Sequence, residues 1–239
     1  MRGWWRETVG LVLPVSCAGC GRPRSDLCDA CARALRVAPR RVRPAPEPSG
    51  LPVVHAGAPY ENCVRAVLLA HKERGGLGLA GALGGALAAA VRAGAGHEGG
   101  ARTLFLVPVP SARRATAARG HDPVRRIAVA AGAELRRGGA RARVLAVLRQ
   151  RRAVADQAGL GARERQANLS GALMVAAGGA EALARGRVVL VDDLLTTGAS
   201  LADAARAVRA VAHTGGAGAE GLMAAVVAAS PTAFELNRN

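Results

Sequence analysis

A chain of 239 residues, half of them apolar, buries one full core and leaves room for a small appendage. Its formal charge of +16 is unevenly placed: residues 102–166 hold 15 basic against 4 acidic side chains, so that segment, rather than the whole surface, is expected to face an anion. No run of eighteen apolar residues occurs, so no bilayer-spanning stretch is expected.

The first residues, MRGWWRETVGLVLPVSC, begin basic and end apolar before a cysteine. The apolar run from Val9 to Val15 is interrupted by Pro14 and preceded by Glu7, so it is not read as an export or lipoprotein signal, and a cytoplasmic protein is expected. Two C-x-x-C pairs follow, Cys17 with Cys20 and Cys28 with Cys31. Each is the knuckle that lets two thiolates share one tetrahedral Zn²⁺, and a segment this poor in apolar mass needs a metal to fold. Disulfides are the alternative, disfavoured in a reducing compartment. Residues 1–38 are therefore taken as a structural zinc module, with Cys63 as a separate packed thiol. Five of the twelve prolines fall in 39–52, which reads as a linker.

Beyond it, residues 53–101 are expected to form a helical hood. A strand is predicted over Val53–Ala56, a helix from Tyr60 to His71 and an alanine-rich helix over 76–93. Gly76, Gly78 and Gly81 match G-x-G-x-x-G, but a helix end rather than a strand precedes them, so no dinucleotide site is read there. From 102 to about 230 strands and helices alternate. Strands are predicted at Thr103–Val107, Val144–Leu148, Leu173–Ala176, Val188–Val191 and 222–229, and helices at 122–137 and 199–213, with 150–168 polar and irregular and 231–239 a tail. This order implies an α/β, doubly wound and mainly parallel sheet, with ligands beyond the carboxyl ends of its strands.

Residues 188–200, VVLVDDLLTTGAS, stand at such an end. Asp192 and Asp193 repel each other and cost several kcal/mol, on the order of an unpaired buried charge, unless hydrogen-bond donors meet them. The 2′- and 3′-hydroxyls of a ribose are suitable donors. Thr196, Thr197, Gly198, Ala199 and Ser200 then open a helix, whose free N–H groups and partial positive charge suit a phosphate. Diol acceptors followed by a phosphate cradle describe a ribose 5-phosphate loop. An ordinary N-cap is the plainer reading, but it needs one hydroxyl and no acidic pair. A P-loop ATPase is excluded, because the sole lysine, Lys72, is followed by Glu73 rather than Ser or Thr.

VVLVDDLLTTGAS resembles the phosphoribosyl-pyrophosphate (PRPP) signature of type I phosphoribosyltransferases. The cysteine quartet, Tyr60 with Leu69-Ala70-His71-Lys72, Val107-Pro108-Val109-Pro110-Ser111, Arg119-Gly120-His121-Asp122, Gln157, and Arg163 with Asn168 extend the likeness to one branch, the ComF family of competence-associated proteins. The chain departs from the family pattern at His121 and Asp122, where an aromatic and an asparagine are common.

The resemblance implies the type I phosphoribosyltransferase fold and Mg²⁺-dependent transfer of a phosphoribosyl group. Asp192 and Asp193 would hold the diol and offset the positive charge of the transition state, while Leu194, Leu195 and 196–200 bind PRPP. Pro110, Ser111, Arg113, Arg114, Arg119 and Gly120 would face the pyrophosphate, with Lys72, Gln157, Arg163 and Asn168 as further candidates there or in a mobile loop. It does not specify the acceptor. A second reading is a non-enzymatic accessory of DNA uptake that binds single-stranded DNA through the zinc module and the basic segment, its PRPP pocket a sensor or relic. The scarcity of aromatics leaves that reading without a stacking platform.

Overall fold

The computed structural model describes residues 15–96, 102–111, 113–151, 171–212 and 221–235. Strand β1 (Arg40–Val42) is the antiparallel edge of a six-stranded sheet. The others run parallel: β2 (Val53–Pro59), β3 (Leu104–Pro108), β4 (Ala142–Val144), β7 (Arg187–Leu195) and β8 (Met223–Ala229), in the order β1-β2-β8-β7-β3-β4. β5 (Leu148–Gln150) and β6 (Leu173–Val175) form a separate antiparallel pair. The strands of the middle are apolar on both faces, as a sheet covered by helices on each side requires: β8 is buried at every position.

On one face lie α2 (Asn62–Glu73), α3 (Ala80–Ala95) and α5 (Pro123–Arg137), which enclose Leu104, Leu106, Val189, Val191 and Val227 of the sheet. Asp122 starts α5 by accepting the Arg125 N–H at 3.0 Å, and Pro123 occupies the first turn, where its missing N–H costs nothing. Helix α3 approaches α5 closely because Gly84 has no side chain; a Cβ there would come within 2.5 Å of Ala130 Cβ. Leu77–Ala95 is, by length and composition, apolar enough to cross a bilayer, and half of that window is buried inside the fold.

The opposite face carries α6 (Gly179–Ala184), α7 (Ala199–Ala212) and the β5–β6 pair, packed on Val188, Leu190, Ala224 and Val226. Asp203 of α7 is buried yet satisfied. Its Oδ1 accepts the Gly171 N–H and Arg206 Nε, and its Oδ2 accepts the Leu173 N–H, at 2.7–2.8 Å. One carboxylate thus ties the start of β6 to α7.

Several elements differ from the expectation. The proline-rich stretch 39–52 carries β1, whose Val42 enters the core. The cysteine segment contains α1 (Asp29–Ala34), and Leu35 just after it, 1% exposed, belongs to the main core. The single strand expected at Val144–Leu148 is two strands in different sheets, β4 ending at Val144 and β5 beginning at Leu148. A helix α4 (Arg113–Arg119) stands just after β3, and a short α8 (Thr232–Glu235) stands in the predicted tail.

Candidate functional site

After β3 the chain moves outward to β4, and after β7 it moves the other way to β8, although β3 and β7 are neighbours. Loops leaving adjacent parallel strands in opposite directions open a crevice, and α/β sheets bind ligands there. Pro110 and Ser111 leave β3, while Thr196, Thr197 and Gly198 leave β7 for α7. Pro110, Ser111 and Gly120 line a cleft of about 500 Å³ together with Thr116, Asp122, Leu148 and Arg149.

β7 continues through both aspartates to Leu195, because its backbone stays paired with β8 as far as Ala229. Side chains alternate along a strand. Val189 and Val191 accordingly face α2, and Val188 and Leu190 face α7. Leu194, however, packs with the α2-side cluster and Leu195 with the α7-side one, so the alternation reverses across the acid pair; the bond from Lys72 sets Asp193 on the α2 side.

On its face Asp193 meets the chain's sole lysine: Lys72 Nζ donates to Asp193 Oδ2 at 2.8 Å. The Asp193 side chain is 8% exposed and that of Lys72 35%. Burial works against the Lys72 ammonium, but the carboxylates of Asp193 and Asp192 outweigh it and raise its pKa. Asp192 accepts the Asp193 N–H through Oδ1 at 2.8 Å. Lost hydration first, and then the charge of Asp193, push its carboxyl well above the ordinary range, with Lys72 opposing.

The next residue along α2 extends this charge arrangement. Glu73 receives Arg119 in a two-pronged bond, and His71, on the other side of Lys72 in the chain and fully buried, sets its two ring nitrogens against the carbonyl oxygens of Gly76 and Pro123 at 3.2 and 3.4 Å. The end of α2 is thereby fixed to the start of α5. The rings of His121 and His71 stand in a T-shaped arrangement, 67° apart in plane, with centroids 6.0 Å apart.

In the bend before α7, Gly198 has φ of 76°, the left-handed region that suits glycine. Thr197 Oγ1 accepts the Ala199 N–H at 3.5 Å, so one hydroxyl starts the helix, and Ser200 lies in its first turn. Pro44 and Leu51 lie against Gly198, where a Cβ would be 3.2–3.3 Å from them. Leu194 and Leu195 remain strand residues that pack into the core on either face. Arg113 and Arg114 open α4. Gln157, Arg163 and Asn168 lie outside the described residues.

The four predicted cysteines converge. The Sγ atoms of Cys17, Cys20, Cys28 and Cys31 lie within 4.8 Å of one another, Cys20 and Cys28 at 3.6 Å. Ligands about 2.3 Å from a tetrahedral ion stand about 3.8 Å apart, so the donors fit a metal such as zinc. All four are free thiols rather than disulfides. Burial resists the Cys17 thiolate, yet N–H groups of Cys28, Cys20 and Gly19 bring its pKa down to about 6. Burial and then its neighbours Cys28, Cys17 and Cys20 push Cys31 up, the mark of a crowded anionic cluster that a cation would relieve. Cys63, near the start of α2, packs against the cluster.

Glu73 and Asp203 carry no motif in the sequence. An acid inside the otherwise apolar face of a helix was the available signal for Asp203. No family model and no curated protein matches the chain.

Proposed function

We propose that the chain binds PRPP in the crevice between the β3 and β7 loops and belongs to the type I phosphoribosyltransferase fold, its reaction the transfer of the phosphoribosyl group to an acceptor. The observation that carries this reading is the placement of Asp192 and Asp193 at the carboxyl end of β7, at the reversal of strand order, directly before a hydroxyl-rich bend that opens α7.

In this reading the bend at 196–200 offers its N–H groups and hydroxyls to the 5′-phosphate, and the acid pair accepts the ribose hydroxyls. As the bond from the anomeric carbon to pyrophosphate breaks, carbon takes on positive charge and the departing oxygen keeps the electron pair. Carboxylates near the sugar stabilise the first, and in this reading Ser111, which lines the cleft after β3, meets the second. Mg²⁺, arriving on the diphosphate, would neutralise much of the leaving group's charge. The cysteine cluster is assigned a structural Zn²⁺, and the basic surplus of 102–166 is assigned to the anionic ligand rather than to DNA.

Calorimetry with PRPP and Mg²⁺ tests the proposal. Binding by the natural chain that disappears in Asp192→Asn with Asp193→Asn is the expected result. No binding by the natural chain removes the proposal, and single-stranded DNA binding with a steep salt dependence in its place favours the DNA-accessory reading.

A further inference from the structure

Resting on that reading, we infer that Lys72 is the residue by which the site distinguishes the diphosphate-activated sugar from plain ribose 5-phosphate. Both ligands bring the same phosphate and the same hydroxyls. They differ at the anomeric carbon, where one carries an anion and the other a hydroxyl.

Lys72 Nζ already occupies Asp193 Oδ2 at 2.8 Å. A ligand hydroxyl that donates to this oxygen competes with the ammonium for its charge, which loosens a largely buried cation from its nearest partner and opposes binding. The neighbouring carboxylate is no refuge, because Glu73 is held by two bonds from Arg119. A ligand with an anionic group beside its 2′-hydroxyl supplies the partner it takes away; ribose 5-phosphate does not. The exchange of one anion for another suits lysine in particular. Its ammonium is a point charge with three donors on a flexible stem, whereas the guanidinium fork is committed to one plane. Of the chain's 33 lysines and arginines, Lys72 alone is lysine.

That uniqueness supplies an assay on the natural protein. Amine acetylation followed by peptide mapping reports on one side-chain amine and separates it from the terminal one. Ribose 5-phosphate at saturation should speed acetylation of Lys72 roughly tenfold, and PRPP with Mg²⁺ should leave it as slow as in the free protein. Asp193→Asn should speed it without any ligand.

Calorimetry on Lys72→Met should show ribose 5-phosphate binding roughly tenfold tighter and PRPP roughly tenfold weaker, so that the preference between them collapses. A variant that keeps the natural preference, or loses both ligands alike, overturns the inference while the proposed function stands. Acetylation indifferent to Asp193→Asn or to either ligand also overturns it. A natural chain that binds PRPP not at all overturns both.

Discussion

Arg119 closes on Glu73 with both prongs of its guanidinium, Nε to Oε2 at 2.9 Å and Nη2 to Oε1 at 2.7 Å. An arginine expected to receive pyrophosphate is thus already given to a carboxylate that follows Lys72 in the chain. The pair is partly solvated, Arg119 at 20% and Glu73 at 46% exposed. Glu73→Gln should therefore cost no more than about 1 kcal/mol in urea unfolding. The same substitution frees a cation at the crevice, and calorimetry should show PRPP affinity rising several-fold. Arg119→Ala should lower it roughly tenfold. Affinity unchanged in both variants would place Arg119 outside the ligand's reach.

Asp192 predicts opposite pH trends for stability and binding. Its folded pKa lies well above the unfolded one, so between the two values the folded chain holds the extra proton. Without ligand, its contribution to stability should grow as pH falls through the raised value and be complete below the ordinary carboxylate range. A diol needs the ionised form, so ligand affinity should fall over the same interval. Thermal unfolding and calorimetry across the acid range check both, and Asp192→Asn should flatten the stability component.

Metal removal should unsettle more than the cysteine segment. Leu35 enters the main core, and a Cβ on Gly19 would stand 3.0 Å from Cys63 Cβ on α2. A chelator should lower the melting temperature by about 10 °C or more, given the large contribution of structural zinc to folding. Elemental analysis should find one zinc per chain, lost in Cys28→Ser and retained in Cys63→Ser.

Asp203→Ala should cost about 3 kcal/mol in urea unfolding, because it strands the N–H groups of Gly171 and Leu173 and the Arg206 guanidinium. Arg206→Ala, whose partner retains two N–H donors, should cost less. Equal losses would mean that the ion pair, rather than the backbone anchoring, is what counts.

The alternation of apolar runs with helical spacing made most of the sheet legible. Val188–Val191 could be read as buried because four apolar residues in a row fit a covered strand. Its continuation through two aspartates could not, since that depends on β8 offering backbone partners as far as Ala229. Val144–Leu148 shows the limit of periodicity: an apolar run is compatible with one strand or with the ends of two, and only the separation of the two sheets decides. β1 was hidden because Arg40, Arg41 and Val42 have no pattern of their own and sit among prolines. The cysteine quartet was legible because knuckle spacing is local. The pairing of Lys72 with Asp193 was not, because 121 residues separate them and charge attraction leaves no mark on spacing.

The three residues of β1 also shield the molecule from itself. They cap β2 through the register Arg40 with Ala56 to Val42 with Val54, and two of the three side chains are exposed arginines. A shortened chain beginning at residue 53 would present the bare flank of β2 to its copies, an invitation to strand-by-strand stacking. Residues 15–52 thus guard against self-association as well as carrying the cysteine cluster, and the remainder is not a portable unit.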